Sequence, residues 1–125
     1  MIVKDVIIIG AGAAGSSAAF HLANANKSVI ILEKEPTSFL KPCGGGMAAS
    51  VQEWFPFDLK PVIEEVINTV EFTWCLSDKV VAELPGSSPF WIVRREKLDQ
   101  LIIQNAIKLG AELIQPFEVA EINKE

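Results

Sequence analysis

Unbroken apolar runs open this chain, alternating patterns fill its middle, and a helical stripe marks its last third. After Lys4 and Asp5, the positions from Val6 to Ile9 are apolar without a break, the pattern of a strand buried on both faces. Residues 10–26 are rich in alanine and other small side chains, which predicts a helix lying close against a sheet. Residues 27–35 repeat the apolar run through Val29 to Leu32 and end in the acids Glu33 and Glu35. Strand, helix and strand in this order favour parallel pairing with a right-handed crossover.

The middle of the chain breaks that alternation. Residues 36–46 read as turn or loop, with prolines at 36 and 42 and glycines at 44, 45 and 46. A short helix is predicted from Met47 to about Glu53, followed by an irregular stretch in which Trp54, Phe55 and Phe57 need a neighbour to cover them. Pro61 suits a first helical turn, so residues 61–68 read as two turns of helix with Val62, Ile63, Val66 and Ile67 on one side. Val70, Phe72 and Trp74 then alternate with Glu71, Thr73 and Cys75, which predicts a strand with Cys75 in the core. Residues 79–84 and 90–95 are two further candidate strands divided by the turn-forming segment 85–89, so a small antiparallel insertion is expected. Residues 95–109 form an amphipathic helix with Leu98, Leu101, Ile102, Ala106, Ile107 and Leu109 on its apolar side, and Gly110 is placed to end it in a left-handed turn. Residues 111–122 should add one strand, broken or bent by Pro116, and the start of another.

Composition narrows the classes of function. A chain of 125 residues is the size of one domain. Eleven Lys and Arg against sixteen Asp and Glu give a net charge of −5, which repels a polyanion, so no nucleic-acid partner is expected. Cys43 and Cys75 lie in unlike surroundings and make neither a disulfide framework nor a zinc spacing, which suits a reducing cytosol. No window reaches the roughly 18 apolar residues needed to cross a bilayer. The 50 % hydrophobic content still leaves room for peripheral contact with a membrane, or for more protein packed against this chain.

Gly10-Ala11-Gly12-Ala13-Ala14-Gly15 is a complete G-x-G-x-x-G after a buried strand and at the opening of a helix, with Glu33 at the end of the next strand. That spacing is the one a dinucleotide fold requires. Gly10 permits a tight turn, Gly12 lets a pyrophosphate approach the backbone, and Gly15 lets the helix rest on the strand. The helix start supplies N–H groups and about half a positive charge to phosphates. Ser16 adds a hydroxyl donor, and Glu33 is suited to the two hydroxyls of an adenosine ribose, against a 2′-phosphate. FAD and NAD share this end, and neither charge nor glycine spacing separates them.

Together with Pro42-Cys43-Gly44-Gly45-Gly46 and the R-x-x-L-D-x-L that begins at Arg95, this motif resembles the geranylgeranyl reductase family of flavoproteins, within the broad group that also holds the aromatic-ring hydroxylases. The resemblance runs through nearly all of the chain and corresponds to the first third of such a protein. It implies the front part of a Rossmann-like, α/β FAD-binding domain over residues 1–125, incomplete and without a second domain, so that catalysis is expected of a longer parent. By resemblance, Gly10, Gly12, Ala13, Ala14, Gly15, Ser16, Glu33 and Lys34 hold the adenosine and pyrophosphate of FAD. Arg95, rather than Arg94, is directed toward the cofactor. Pro42, Cys43, Gly44, Gly45, Gly46 and Met47 form a loop near the flavin ring, with Cys43 a proton donor or a pocket residue. The implied activity is reduction of isoprenoid double bonds in a lipid or chlorophyll precursor. The electron donor, a nicotinamide cofactor or a ferredoxin-like protein, stays open.

Two other classes compete: an FAD-dependent aromatic hydroxylase, and a non-enzymatic nucleotide-binding module completed by a partner. His21 has no triad around it and is assigned to the outer side of its helix. Glu64, Glu65, Asp99 and Glu118 form no metal pattern; Asp99 is assigned to holding the start of its helix or its neighbours.

Overall fold

The structure, a computed structural model, describes residues 3–36 and 42–123. In chain order its regular elements are β1 (Val6–Ile9), α1 (Ala13–Asn24), β2 (Val29–Leu32), β3 (Gly46–Ala48), β4 (Ile63–Ile67), β5 (Thr69–Trp74), β6 (Ser77–Glu83), β7 (Phe90–Val93), α2 (Arg95–Lys108) and β8 (Glu112–Ile114). They fall into two compact units, one drawn from the segments before Pro42 and from Arg95 onward, the other spanning Pro42–Arg94. The mixed α/β, Rossmann-like architecture with an antiparallel insertion is as the sequence predicts. Among the described residues no helix is long and apolar enough to cross a membrane.

In the first unit β1, β2 and β8 form a parallel sheet in the order β1-β2-β8, with Val6 opposite Val29 and Ile30 opposite Glu112. The central strand takes the apolar load: Val29, Ile30 and Ile31 are buried, as are Ala19, Phe20 and Ala23 of α1 and Leu98, Ile102, Ile103 and Ala106 of α2. The two helices pack on one another, and α1 lies over β1 and β2. Both helices end as their residues dictate. Gly110 takes a left-handed φ of 100° and its N–H donates to the Ile107 carbonyl, while Ala111 N–H reaches Ala106. Asn26 closes α1 in the same way with a φ of 60°. His21 is exposed. One expectation fails: β1 is covered on one face only. It is an edge strand with β2 as its sole partner among the described residues, and Ile7 and Ile9 are more than half exposed.

In the second unit β3 and β4 flank β7 in an antiparallel sheet, with Met47 and Val66 both opposite Trp91. Phe55, Leu59, Val62, Trp91 and Val93 are its buried apolar side chains. Of the two short helices predicted here, the first is present in part: Met47 begins in β3, and a 3₁₀ helix follows over Ala49–Trp54. The segment from Pro61 has its proline within a short 3₁₀ turn, Lys60–Val62, and then becomes β4, because the β-branched run finds backbone partners on β7. β5 and β6 form a separate two-stranded ribbon. Cys75 is not core: it is exposed in the ribbon's turn, where Cys75 and Leu76 have φ of 50° and 62°. β8 is followed by a cis Gln115–Pro116 bond and no further strand through residue 123.

The starts of β1 and β2 are tied by Asp5, whose Oδ2 accepts bonds from the Ser28 N–H and hydroxyl, both at 2.7 Å. The Ser28 backbone N–H and then its hydroxyl hold the Asp5 carboxyl below its ordinary value of 3.8. A depressed folded pKa contributes stability above the unfolded value, and that stability is lost as pH falls through the lower folded value. In Asp5→Asn, stability at neutral pH is therefore lower and its decline below about pH 4 is shallower, as read from chemical unfolding midpoints across the acid range.

Candidate functional site: a glycine-rich strand-to-helix junction

The junction between β1 and α1 is built from backbone packed on backbone. Gly10 turns with a φ of 95° and donates its N–H to the Leu32 carbonyl at 2.8 Å. Gly15 lies so near this turn that a Cβ there would stand 1.9 Å from the Gly10 carbonyl oxygen and 3.2 Å from Ile8 Cγ2. The sequence assigns Gly15 to helix-on-strand packing, and this geometry shows why no other residue serves. Ser16 is fully buried, and its hydroxyl donates to the Ala11 carbonyl at 2.7 Å. The Ser16 hydroxyl thus fastens the loop to the helix.

What the junction offers a ligand is the start of α1. Gly12 is the N-cap, makes no side-chain capping bond, and no acid occupies the first turn. The first intrahelical bond runs from Ser16 N–H to the Gly12 carbonyl at 2.8 Å, so the N–H groups of Ala13, Ala14 and Gly15 precede the helical ladder. Helix dipole and N–H groups together are what an anion site at a helix start requires.

Glu33 stands beside it. Its Oε2 accepts the Ala11 N–H at 2.5 Å and its Oε1 accepts the Glu35 N–H at 2.9 Å. β8 braces the same residue from its other side, since Glu33 N–H donates to Ile114 and its carbonyl accepts Phe117 N–H. Lys34, next in line, is exposed. A cavity of about 80 Å³ is lined by Ala11, Glu33, Glu35, Glu96, Asp99 and Gln100 among others, and every ionisable side chain on it is an acid. Such a wall accepts hydroxyl and amine donors and opposes an added phosphate.

Arg95 opens α2 with its guanidinium paired to Asp99 one turn on, both contacts at 3.3 Å. The pair is largely shielded, with side-chain exposures of 26 % and 12 %. Asp99 joins Arg95 to the cavity that also holds Ala11 and Glu33, the neighbour-holding role expected of it. Arg94 belongs to the second unit, where it pairs with Glu64 at 3.4 Å. Sequence reasoning gave no part to Glu35, whose N–H holds Glu33 from two residues on, and missed Glu96 and the bracing by β8; the folded return of the chain brings the latter two to Glu33.

The Pro42–Met47 loop lies in the second unit and accounts for most of its own glycines. Gly45 is buried with a φ of 74°, and a Cβ on it would stand 1.9 Å from the Val93 carbonyl oxygen. Gly46 is tight against the Phe90 ring, whereas Gly44 faces open space. Cys43 is exposed, and its Sγ accepts the Gly45 N–H at 3.4 Å. Phe39, Leu40 and Lys41, just before this loop, lie outside the described residues. In the same unit an open groove of about 970 Å³ is floored by Phe57, Phe90 and Trp91; Phe55 is core and Trp54 is exposed.

Residues 5–58 match the FAD binding domain family, so the chain carries an FAD-binding domain. It is related to digeranylgeranylglycerophospholipid reductase 2 of Methanothermobacter thermautotrophicus, with 32 % identity over 88 % of this chain and 29 % of that protein. Its fold matches a geranylgeranyl bacteriochlorophyll reductase-like protein from Thermoplasma acidophilum, TM-score 0.76 and 23 % identity, over 88 % of this chain and 29 % of that one. It also matches the myxobacterial chondrochloren halogenase CndH, an FAD-dependent halogenase, TM-score 0.83 and 22 % identity, over 100 % of this chain and 31 % of that one. The chain thus spans about three-tenths of the length of these relatives.

Two results follow from this geometry. Gly15→Ala forces the junction apart and Glu33→Gln removes the charge beside it. Each weakens FAD binding, the latter by about 10- to 100-fold if one charged hydrogen bond is lost, as measured by flavin fluorescence titration. In the second loop Gly44→Ala leaves the unfolding midpoint within about 0.5 kcal/mol of wild type, whereas Gly45→Ala costs about 1–3 kcal/mol or more.

Proposed function

We propose that this chain is the FAD-holding front part of a longer oxidoreductase that saturates carbon–carbon double bonds of isoprenoid chains. The observation that carries the reading is a conjunction: the glycine junction with Glu33, the Pro42–Met47 loop, and about 30 % identity to digeranylgeranylglycerophospholipid reductases along most of the chain.

The residues present fit FAD. The N–H groups at the start of α1 hold the diphosphate, Glu33 takes the adenosine ribose, and the acidic wall beside it keeps that sugar free of a further phosphate. Arg95, oriented by Asp99, supplies the positive charge on the cofactor's side of α2. When bound, the flavin supplies hydride chemistry, and the rest falls to the protein. Gly44, with open space at its Cα, is the position of the second loop that admits close approach of a flat ring or an alkyl chain. Cys43, held by the Gly45 N–H, gives a proton to the alkene carbon that receives no hydride. The electron donor is a nicotinamide cofactor or a ferredoxin-like protein, and the substrate tail draws the enzyme to a membrane surface.

A second reading, FAD-dependent hydroxylation or halogenation, is supported by the fold likeness to CndH over the whole chain. It gives no part to Cys43 and Gly44, the two residues of the cysteine and triglycine loop that strand packing does not explain. The two readings differ in their consumption of oxygen. The complete gene product is incubated with FAD, a reductant and a geranylgeranylated glycerophospholipid, and the product is weighed by mass spectrometry. The reductase reading expects two added hydrogens per double bond without oxygen uptake, and a slower rate in Cys43→Ala; incorporated oxygen or halogen would establish the second reading.

A further inference from the structure

Two serines stand side by side in the first turns of α1 and spend their hydroxyls differently. Ser17 Oγ donates to the Ala13 carbonyl at 2.6 Å, the ordinary bond of a helical serine to the residue one turn back. Ser16 Oγ reaches further, past the N-cap Gly12, and donates to the Ala11 carbonyl at 2.7 Å. Its backbone N–H holds the Gly12 carbonyl at 2.8 Å, so one residue fixes two successive carbonyls of the glycine loop. Ser16 is fully buried, and a hydroxyl has one hydrogen to donate. That hydrogen is taken, and the side chain presents no open surface to a ligand.

Ala11 carries the restraint onward. While Ser16 holds its carbonyl, its N–H crosses from the loop to the end of β2 and donates to Glu33 Oε2 at 2.5 Å. The other carboxylate oxygen, Oε1, accepts the Glu35 N–H at 2.9 Å, a bond within its own stretch of chain. The Ala11 bond therefore ties the carboxylate to the junction. We propose that Ser16 is a positioning residue for ribose recognition: acting through Ala11, it sets the Glu33 carboxylate for the adenosine ribose and touches no part of the cofactor itself. This rests on the reading that Glu33 takes the ribose hydroxyls. Without the Ser16 hydroxyl the Ala11 carbonyl loses its partner, the loop turns more freely, and binding must first order the carboxylate. The N–H groups at the start of α1, which answer to the diphosphate, keep their places in the helix.

Two probes separate the sugar from the diphosphate, and calorimetric titration of the complete gene product, freed of FAD, reads both. ADP carries the diphosphate and the ribose hydroxyls; 2′,3′-dideoxy-ADP carries the diphosphate without them. Ser16→Ala is expected to weaken ADP about fivefold, the size of one neutral hydrogen bond, and to leave the affinity for the dideoxy compound unchanged. Equal weakening of the two overturns the proposal, since a serine that serves the diphosphate, or merely the stability of the fold, does not distinguish them. Unchanged affinity for both overturns it as well. The underlying reading is judged on the wild type alone: if ADP and the dideoxy compound bind equally there, Glu33 does not take the ribose, and this inference falls with it. A crystal structure of the FAD-bound gene product decides the same point without a substitution. Ser16 Oγ is expected about 2.7 Å from the Ala11 carbonyl, with the Ala11 N–H still on Glu33; an Oγ donating to a diphosphate oxygen overturns the proposal.

Discussion

The molecule's function rests on a single close approach, that of Gly15 in the first turn of α1 to the carbonyl of Gly10 at the end of β1. Every side chain other than hydrogen would occupy the space of that carbonyl oxygen. Because the helix sits this low, its N-terminus points out of the sheet's carboxyl end, Ser16 is buried with its hydroxyl spent on Ala11, and Ala11 can donate to Glu33. The N–H groups that open the helix and the Glu33 carboxylate are thereby set side by side, and the carboxylate is already held by the Ala11 and Glu35 N–H groups, which lowers the ordering cost of the binding proposed here.

The second unit uses the same device for another purpose. Gly45 approaches the β7 backbone as closely as Gly15 approaches Gly10, and Val93 N–H donates to the Gly45 carbonyl at 2.9 Å. Of the three consecutive glycines, then, Gly45 and Gly46 answer to β7 and only Gly44 faces open space. The glycine string is therefore mainly a statement about strand packing, and the chemistry proposed for this loop is left to Gly44 and Cys43.

Much of the first unit was legible because its requirements are local. A tight turn, a close contact and a helix cap each demand a particular residue, so Gly10, Gly15 and Gly110 announce themselves. The middle of the chain was misread where partners distant in sequence decide. Val62, Ile63, Val66 and Ile67 satisfy a helical stripe and a strand equally well, and the pairing with β7 settles it in favour of β4. Met47 and Ala48 carry no strand signal; the approach of Gly45 to Val93 and the pairing of Gly46 with Ile92 place them beside β7. Cys75 continues the alternation of β5 by one residue, yet it and Leu76 take left-handed turn conformations that glycine and asparagine usually fill. The acidic wall around Glu33 was hidden for a similar reason, because Glu96 and Asp99 reach it only once α2 has packed on α1.

The central claim is that the β1–α1 junction and Glu33 are one binding device, and a crystal structure of the complete gene product with FAD bound tests it most directly. The account predicts diphosphate oxygens about 3 Å from the N–H groups that open α1, and the adenosine ribose hydroxyls on the Glu33 carboxylate. A cofactor whose diphosphate and ribose touch neither would contradict it.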